Sequence, residues 1–177
     1  MAAFTVIDHT EIGAGGAASW TKSSIPTTYD HLLLEASIRS EYALNVYSTM
    51  VLTFNADTGN NYSETNLYGT GTSAASNRGS GNPAINSVVI SAGGATADTF
   101  GTATWMIPNY ANTTGFKQVL MSSVCENASA SAWAWLLKNS AGLWSSTAAV
   151  NQITITGGDA SDIAEFSTFT LYGVTGA

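Results

Sequence analysis

Period-two alternation, broken every few residues by clusters of turn formers, is the feature that most limits what this chain can fold into. Leu32, Leu34, Ala36 and Ile38 alternate with Leu33, Glu35, Ser37 and Arg39. A second run covers Tyr42 to Phe54, with Met50, Leu52 and Phe54 on one face and Thr49, Val51 and Thr53 on the other. It stops at Asn55-Ala56-Asp57-Thr58-Gly59-Asn60-Asn61, a dense group of turn residues. A strand over Tyr62 to Tyr68 can return from that turn. Further runs follow at Ile85–Ser91, Thr99–Ile107, Phe116–Glu126, Ala132–Lys138, Val150–Thr156 and Glu165–Val174. No segment keeps a 3.6-residue period beyond two turns, so amphipathic helices are not expected. The pattern predicts an all-β, antiparallel β-sandwich of about eight to ten strands rather than alternating βαβ units. Residues 69–83, rich in Gly, Ser, Asn and Thr, read as a surface loop.

Composition supports the same class. Among 177 residues there are 21 Ser and 23 Thr, while charged residues reach only 10%. The strong helix formers Lys, Glu and Arg are therefore scarce, and residues that fit a pleated, half-buried surface are common. Hydrophobic residues at 45% exclude a disordered chain. A net charge of −7 argues against sequence-independent nucleic-acid binding, which needs a basic face. No apolar run approaches the length of a membrane-spanning helix. The start, Met1 to His9, carries neither the basic nor the apolar region of a secretory signal peptide. With Cys125 as the only cysteine, no intrachain disulfide is expected. A chain made in a cytoplasm but composed for life outside it suits a particle that assembles in a cell and works beyond it. Residues 1–19 end in a Gly/Ala-rich joint and predict either an edge strand or an arm reaching a neighbour; residues 20–177 predict one sandwich domain.

The residues that carry chemistry are sparse. His9 and His31 are far from each other and from Cys125, so a zinc site is not expected. Asn55, Asp57, Asn60 and Asn61 gather oxygens as a calcium loop does, but with one carboxylate; side chains capping their own turn are the favoured reading. Asp57-Thr58-Gly59 spells the aspartic-protease triplet, yet that chemistry needs two such aspartates. No Gly-x-Ser-x-Gly elbow occurs. Cys125, on an apolar strand, reads as a small buried group. No enzyme activity and no cofactor is expected. Trp133 and Trp135 share one face of a short run, and Trp faces can bind sugar rings or form interfaces. Phe4, Val6, Trp133 and Trp135 are the interface candidates.

Ordered pieces of the chain resemble a family of small structural proteins of tailed bacteriophages. They are Ser24-Ile25-Pro26-Thr27-Thr28-Tyr29-Asp30-His31-Leu32, Leu52-Thr53-Phe54-Asn55, and Asp57-Thr58-Gly59-Asn60-Asn61-Tyr62. Leu67-Tyr68-Gly69, Phe100-Gly101 and Ile107-Pro108-Asn109-Tyr110 follow. Gly142-Leu143-Trp144-Ser145-Ser146-Thr147-Ala148-Ala149-Val150 and Phe169-Thr170-Leu171-Tyr172-Gly173-Val174 complete the series. The resemblance implies a jelly-roll-like sandwich, location in the virion and no catalytic residues. It makes a capsid decoration (cement) protein the leading expectation, bridging subunits of the major capsid protein and itself a homotrimer. A tail fibre or tail-tip protein and a carbohydrate-binding module are the alternatives.

Overall fold

The computed structural model describes residues 3–127 and 136–176. Among the described residues twelve strands follow one another: β1 (Ala3–Glu11), β2 (Ser19–Lys22), β3 (His31–Ile38), β4 (Tyr47–Phe54), β5 (Tyr62–Gly69) and β6 (Ala74–Asn82). Then come β7 (Ile85–Ser91), β8 (Gly101–Pro108), β9 (Lys117–Cys125), β10 (Leu136–Trp144), β11 (Ile153–Gly157) and β12 (Thr168–Thr175). No helix occurs among the described residues. The alternating runs are the reason. Each places its apolar set on one face of a pleated strand, and those faces have to be buried together.

Two antiparallel sheets achieve that burial. The larger has eight strands in the order β1-β12-β3-β8-β9-β10-β5-β6, and the smaller has four, β2-β11-β4-β7. The interleaving of β1-β12-β3-β8 with β2-β11-β4-β7 is consistent with a jelly roll, to which the β9–β10 and β5–β6 hairpins are added on one side. Leu32, Leu34 and Ile38 of β3 meet Met50, Leu52 and Phe54 of β4 in a common core with Trp105, Ile153, Ile155, Phe169 and Leu171. Trp20 lies flat on Phe169, ring centroids 4.9 Å apart. At one end of the sandwich the start of the Asn55–Asn61 turn is tied to the segment leading into β11: Asn55 Oδ1 accepts from the backbone N–H groups of Asn151 and Gln152, and its Nδ2 donates to Ala149 O.

Three strands depart from the pattern-based expectation. β2 is only four residues long, too short to show alternation. β6 falls within the segment read as a loop. Its residues, AASNRGSGN, are largely exposed and carry no apolar face, so periodicity could not reveal it. Pairing holds it in place: β6 runs along β5 from Tyr62↔Asn82 to Gly69↔Ala74. β10 likewise extends through Asn139-Ser140-Ala141-Gly142, a turn-like tetrad that is a strand because β9 and β5 flank it on both sides. The front part of the expected Ala132–Lys138 strand, residues 132–135, lies outside the described residues. β1 pairs with β12 from Ala3↔Thr175 to Glu11↔Thr168 and is an edge strand of the large sheet.

Candidate functional site

Eight strands face four, so the large sheet overhangs. Its β5–β6 end extends beyond β7, the last strand of the small sheet. The inward positions there cannot all be covered by apolar partners, and they are polar. On β5, Tyr62 enters the core, but Glu64 and Asn66, the next inward residues, are polar and buried. Burying such groups is tolerated only when their hydrogen bonds are made. Ser140 Oγ donates to Asn66 Oδ1 at 2.6 Å, and Asn66 Nδ2 donates to Asn77 Oδ1 at 2.8 Å. Asn82 Nδ2 donates to both Glu64 oxygens, at 3.3 and 3.2 Å.

Gly79 makes that last contact possible. A Cβ at this position would lie 2.3 Å from Glu64 Oε1 and 2.6 Å from Asn82 Nδ2. Gly79→Ala is expected to force the two apart and cost about 1–2 kcal/mol, the scale of a buried polar group losing its partner. A lowered urea midpoint with an unchanged slope would register this.

Between β7 and this overhang runs a cleft of about 230 Å³. The rings of Tyr47 and Tyr68 and the side chains of Val89 and Leu136 supply its apolar walls. Three carboxamides, Asn66, Asn77 and Asn86, join Thr49 and Lys138 as its polar groups. Lys138 is 5% exposed. Its ammonium donates to Asn86 O at 3.1 Å and to Asn86 Oδ1 at 3.4 Å. Burial pushes its pKa down to about 8, against a smaller opposing pull from Glu64. Lys117, at the other end of β9–β10, is also lowered by burial, and its ammonium donates to Gly115 O and Thr147 O.

The outer face of the large sheet has a different character. Strand register aligns Val6, Tyr172, Leu33, Met106, Leu120 and Ala141 in one row across six neighbouring strands. Val124 and Leu137, opposite each other on β9 and β10, and Leu67 on β5 widen the apolar area at one end. Phe4 adds to it at the other, its ring edge-on to Tyr172 at 6.3 Å.

Of the four interface candidates from the sequence, Phe4 and Val6 lie on this outer face, 61% and 57% exposed. Trp133 and Trp135 lie outside the described residues. Trp144 is a core residue whose Nε1 donates to Asp57 Oδ2 at 2.7 Å. The Asp57 carboxylate also accepts from Gly59 N and Asn61 Nδ2. These donors, Trp144 foremost, hold its pKa below the ordinary carboxylate value. Asp57 is thus engaged as a latch of its own turn, and among the described residues no three His, Cys, Asp or Glu side chains converge as a metal site would require. His9 Nδ1 meets Thr170 Oγ1, and His31 Nδ1 accepts from Asn109 N, so each histidine is engaged within its own part of the sheet. Cys125 is buried, and burial pushes its thiol pKa up.

Lys138 and the three asparagines escaped the sequence reading. A signal was present: within Tyr62–Tyr68 the alternate positions Glu64 and Asn66 are polar on the same face as Tyr62. In a sandwich, a strand that begins as core and turns polar on its inner face marks the place where the opposite sheet ends.

Compared with protein-family models, curated proteins and solved structures, the chain gave no match.

Proposed function

We propose that this protein is a non-enzymatic structural component of a virus particle, a capsid decoration protein that attaches through the outer face of its eight-stranded sheet. The observation that carries the reading is the continuous apolar row from Val6 to Ala141. An antiparallel sheet with one solvated face normally alternates apolar-in with polar-out. A row of apolar side chains maintained across six strands on the outward face departs from that rule, and contiguous exposed apolar surface is characteristic of interaction sites. Charges are few on this face, Glu35 and Arg78 among them, as suits the core of a protein–protein contact. The sequence resemblance to small phage structural proteins supports the particle as the setting and the capsid protein, together with further copies of this chain in a trimer, as the partners. Binding of this kind stabilises an assembled shell by mass action, without chemistry.

β1 belongs to this surface as an edge strand, so deleting residues 1–19 would uncover β12 and is a poor test of attachment. Point changes on the outward face are better. Met106→Asp with Leu120→Asp places two charges at the centre of the row and is expected to reduce co-purification with particles at least about tenfold, since an unpaired charge desolvated in an interface is costly. Thermal unfolding of the isolated variant should stay within a few degrees of the parent. Attachment at parental occupancy by a folded variant would defeat the proposal, as would imaging that places the protein on particles by another face. Density on the tail rather than the head would favour the tail-tip alternative.

A further inference from the structure

We propose that the free edge of β6 pairs with the same edge of a second copy of this chain, across a two-fold axis perpendicular to the large sheet. Among the described residues β6 has one neighbour, β5, and its residues from Ala74 to Arg78 are exposed. The β5–β6 turn fixes which of its backbone groups are spare. Thr70 N–H donates to Ser73 O at 2.9 Å, so bonded pairs recur at every second position from there, at Tyr68/Ala75, Asn66/Asn77 and Glu64/Gly79. The N–H and C=O groups of Ala74, Ser76, Arg78 and Ser80 therefore point away from β5, as a template for a further strand. Open edges are usually blunted by bulges, proline or charged side chains, lysine above all. β1, at the other end of the sheet, is blunted: its register shifts between Val6 and Asp8, and Asp8 is ion-paired with Lys22 at 3.0 Å. β6 carries neither lysine nor proline, and its irregularity, at Gly81 with a φ of 67°, lies beyond Ser80.

The sequence of this edge is complementary to itself. A perpendicular two-fold makes the two β6 strands antiparallel and keeps inward residues opposite inward ones. The register centred on Asn77 then sets the whole regular stretch, Ala74 to Ser80, against its counterpart: Ala74 faces Ser80, Ala75 faces Gly79 and Ser76 faces Arg78. The outward-pointing residues of each strand meet as bonded pairs. Centring on Arg78 instead would set two guanidiniums directly opposite each other, an unfavourable pairing. Centring further along runs into the bulge at Gly81, and centring further back runs into the turn at Ser73. An isologous contact of this kind closes on itself. It uses one edge per copy, so a trimer joined through another surface would link to its neighbours by the same edges. The pairing does not rest on particle attachment, yet the two agree. The axis turns both outer sheet faces to the same side, so two attachment faces would engage one shell together.

The test is sedimentation velocity of the isolated full chain from micromolar to millimolar concentration, because a contact this small is expected to be weak and reversible. Ser76→Glu places a carboxylate opposite Arg78 of the partner subunit twice per contact and should tighten the association about fivefold. Ser76→Lys sets like charges there and should weaken it about fivefold. The chain's charge of −7 by itself predicts the reverse order, since an added lysine reduces self-repulsion and an added glutamate increases it. Ser76→Pro removes an N–H that points away from β5, so it should abolish association while the thermal midpoint stays within a few degrees of the parent. Should the proline variant fail to fold, the glutamate and lysine variants still decide the matter, since position 76 is exposed. Met106→Asp with Leu120→Asp should leave the pairing in place, which separates this contact from the attachment face. An unchanging mass up to millimolar concentration would overturn the proposal. So would tighter association with Ser76→Lys than with Ser76→Glu, association retained by a folded Ser76→Pro, or association abolished by the outer-face pair.

Discussion

Trp144→Ala is expected to destabilise the protein by about 4 kcal/mol, near the middle of the range for removing a buried aromatic. The indole is 3% exposed and closes one end of the sandwich. Its ring stands 5.6 Å from Phe54 and lies nearly parallel to Tyr62 at 6.4 Å, so it joins the small sheet to the large one. Tyr62 in turn receives the N–H of Phe54 and donates to Asp57 O. The Trp144 N–H completes the arrangement by holding Asp57 Oδ2. Packing and latch are separable. Trp144→Phe keeps most of the ring and removes only the donor, for an expected loss of about 1–2 kcal/mol. The Asp57 carboxyl should then rise back toward its ordinary range. Because its folded pKa is depressed, the stability linked to it is present above about pH 4 and is lost as pH falls through the folded value. The phenylalanine variant should therefore lie closest to the parent at acid pH and furthest from it near neutrality. Chemical denaturation at both pH values checks this, and a constant difference would assign the whole effect to packing.

The same residues show how far the sequence could be read. Leu32 to Ile38 and Met50 to Phe54 announce strands because each buries one complete face, and a face that must be buried leaves a period in the sequence. β6 leaves none. Its residues are solvated on both sides and owe their extended form to a neighbour, a dependence on tertiary context that local pattern does not carry. The Asn55–Asn61 cluster was legible as a turn, and the Asp57 side chain does cap the turn's own backbone at Gly59 N. Its long-range bond to Trp144 was not, because nothing in either segment specifies a partner 87 positions away. The cleft was illegible for a similar reason. Asn66, Asn86 and Lys138 sit on three strands, and only the mismatch between an eight-stranded and a four-stranded sheet brings them to one place. The apolar outer row is a property of register. Leu33, Met106, Leu120 and Tyr172 each look like isolated apolar residues on polar faces until pairing aligns them.

Stability is expected to rise from pH 8 to about pH 9, to level off and to fall above pH 10, and Lys138 is the main cause of the rise. In the unfolded chain its ammonium keeps its proton to the ordinary value of 10.5, whereas in the fold it releases it at about 8. Between these values the unfolded state binds more protons, so unfolding becomes less favourable as pH increases. At about 1.4 kcal/mol for each pH unit separating the two, the complete effect is about 3 kcal/mol. Lys117, also lowered by burial, acts in the same direction. Cys125, whose thiol burial raises from 9.0, acts in the opposite one from about pH 9, and so does Tyr62 at higher pH. Burial raises its phenol from 10.0 to about 12, so above pH 10 the unfolded chain gives up that proton first and gains the advantage. Denaturant midpoints measured from pH 7 to 11 should climb to about pH 9 and decline above pH 10. Lys138→Met should flatten the rising limb, and Tyr62→Phe should make the falling one, to which Tyr110 and Cys125 also contribute, shallower. A midpoint independent of pH between 8 and 9 would mean that the folded protein keeps Lys138 charged through that range. The ammonium would then have to be solvated in the cleft rather than sealed beneath Asn86.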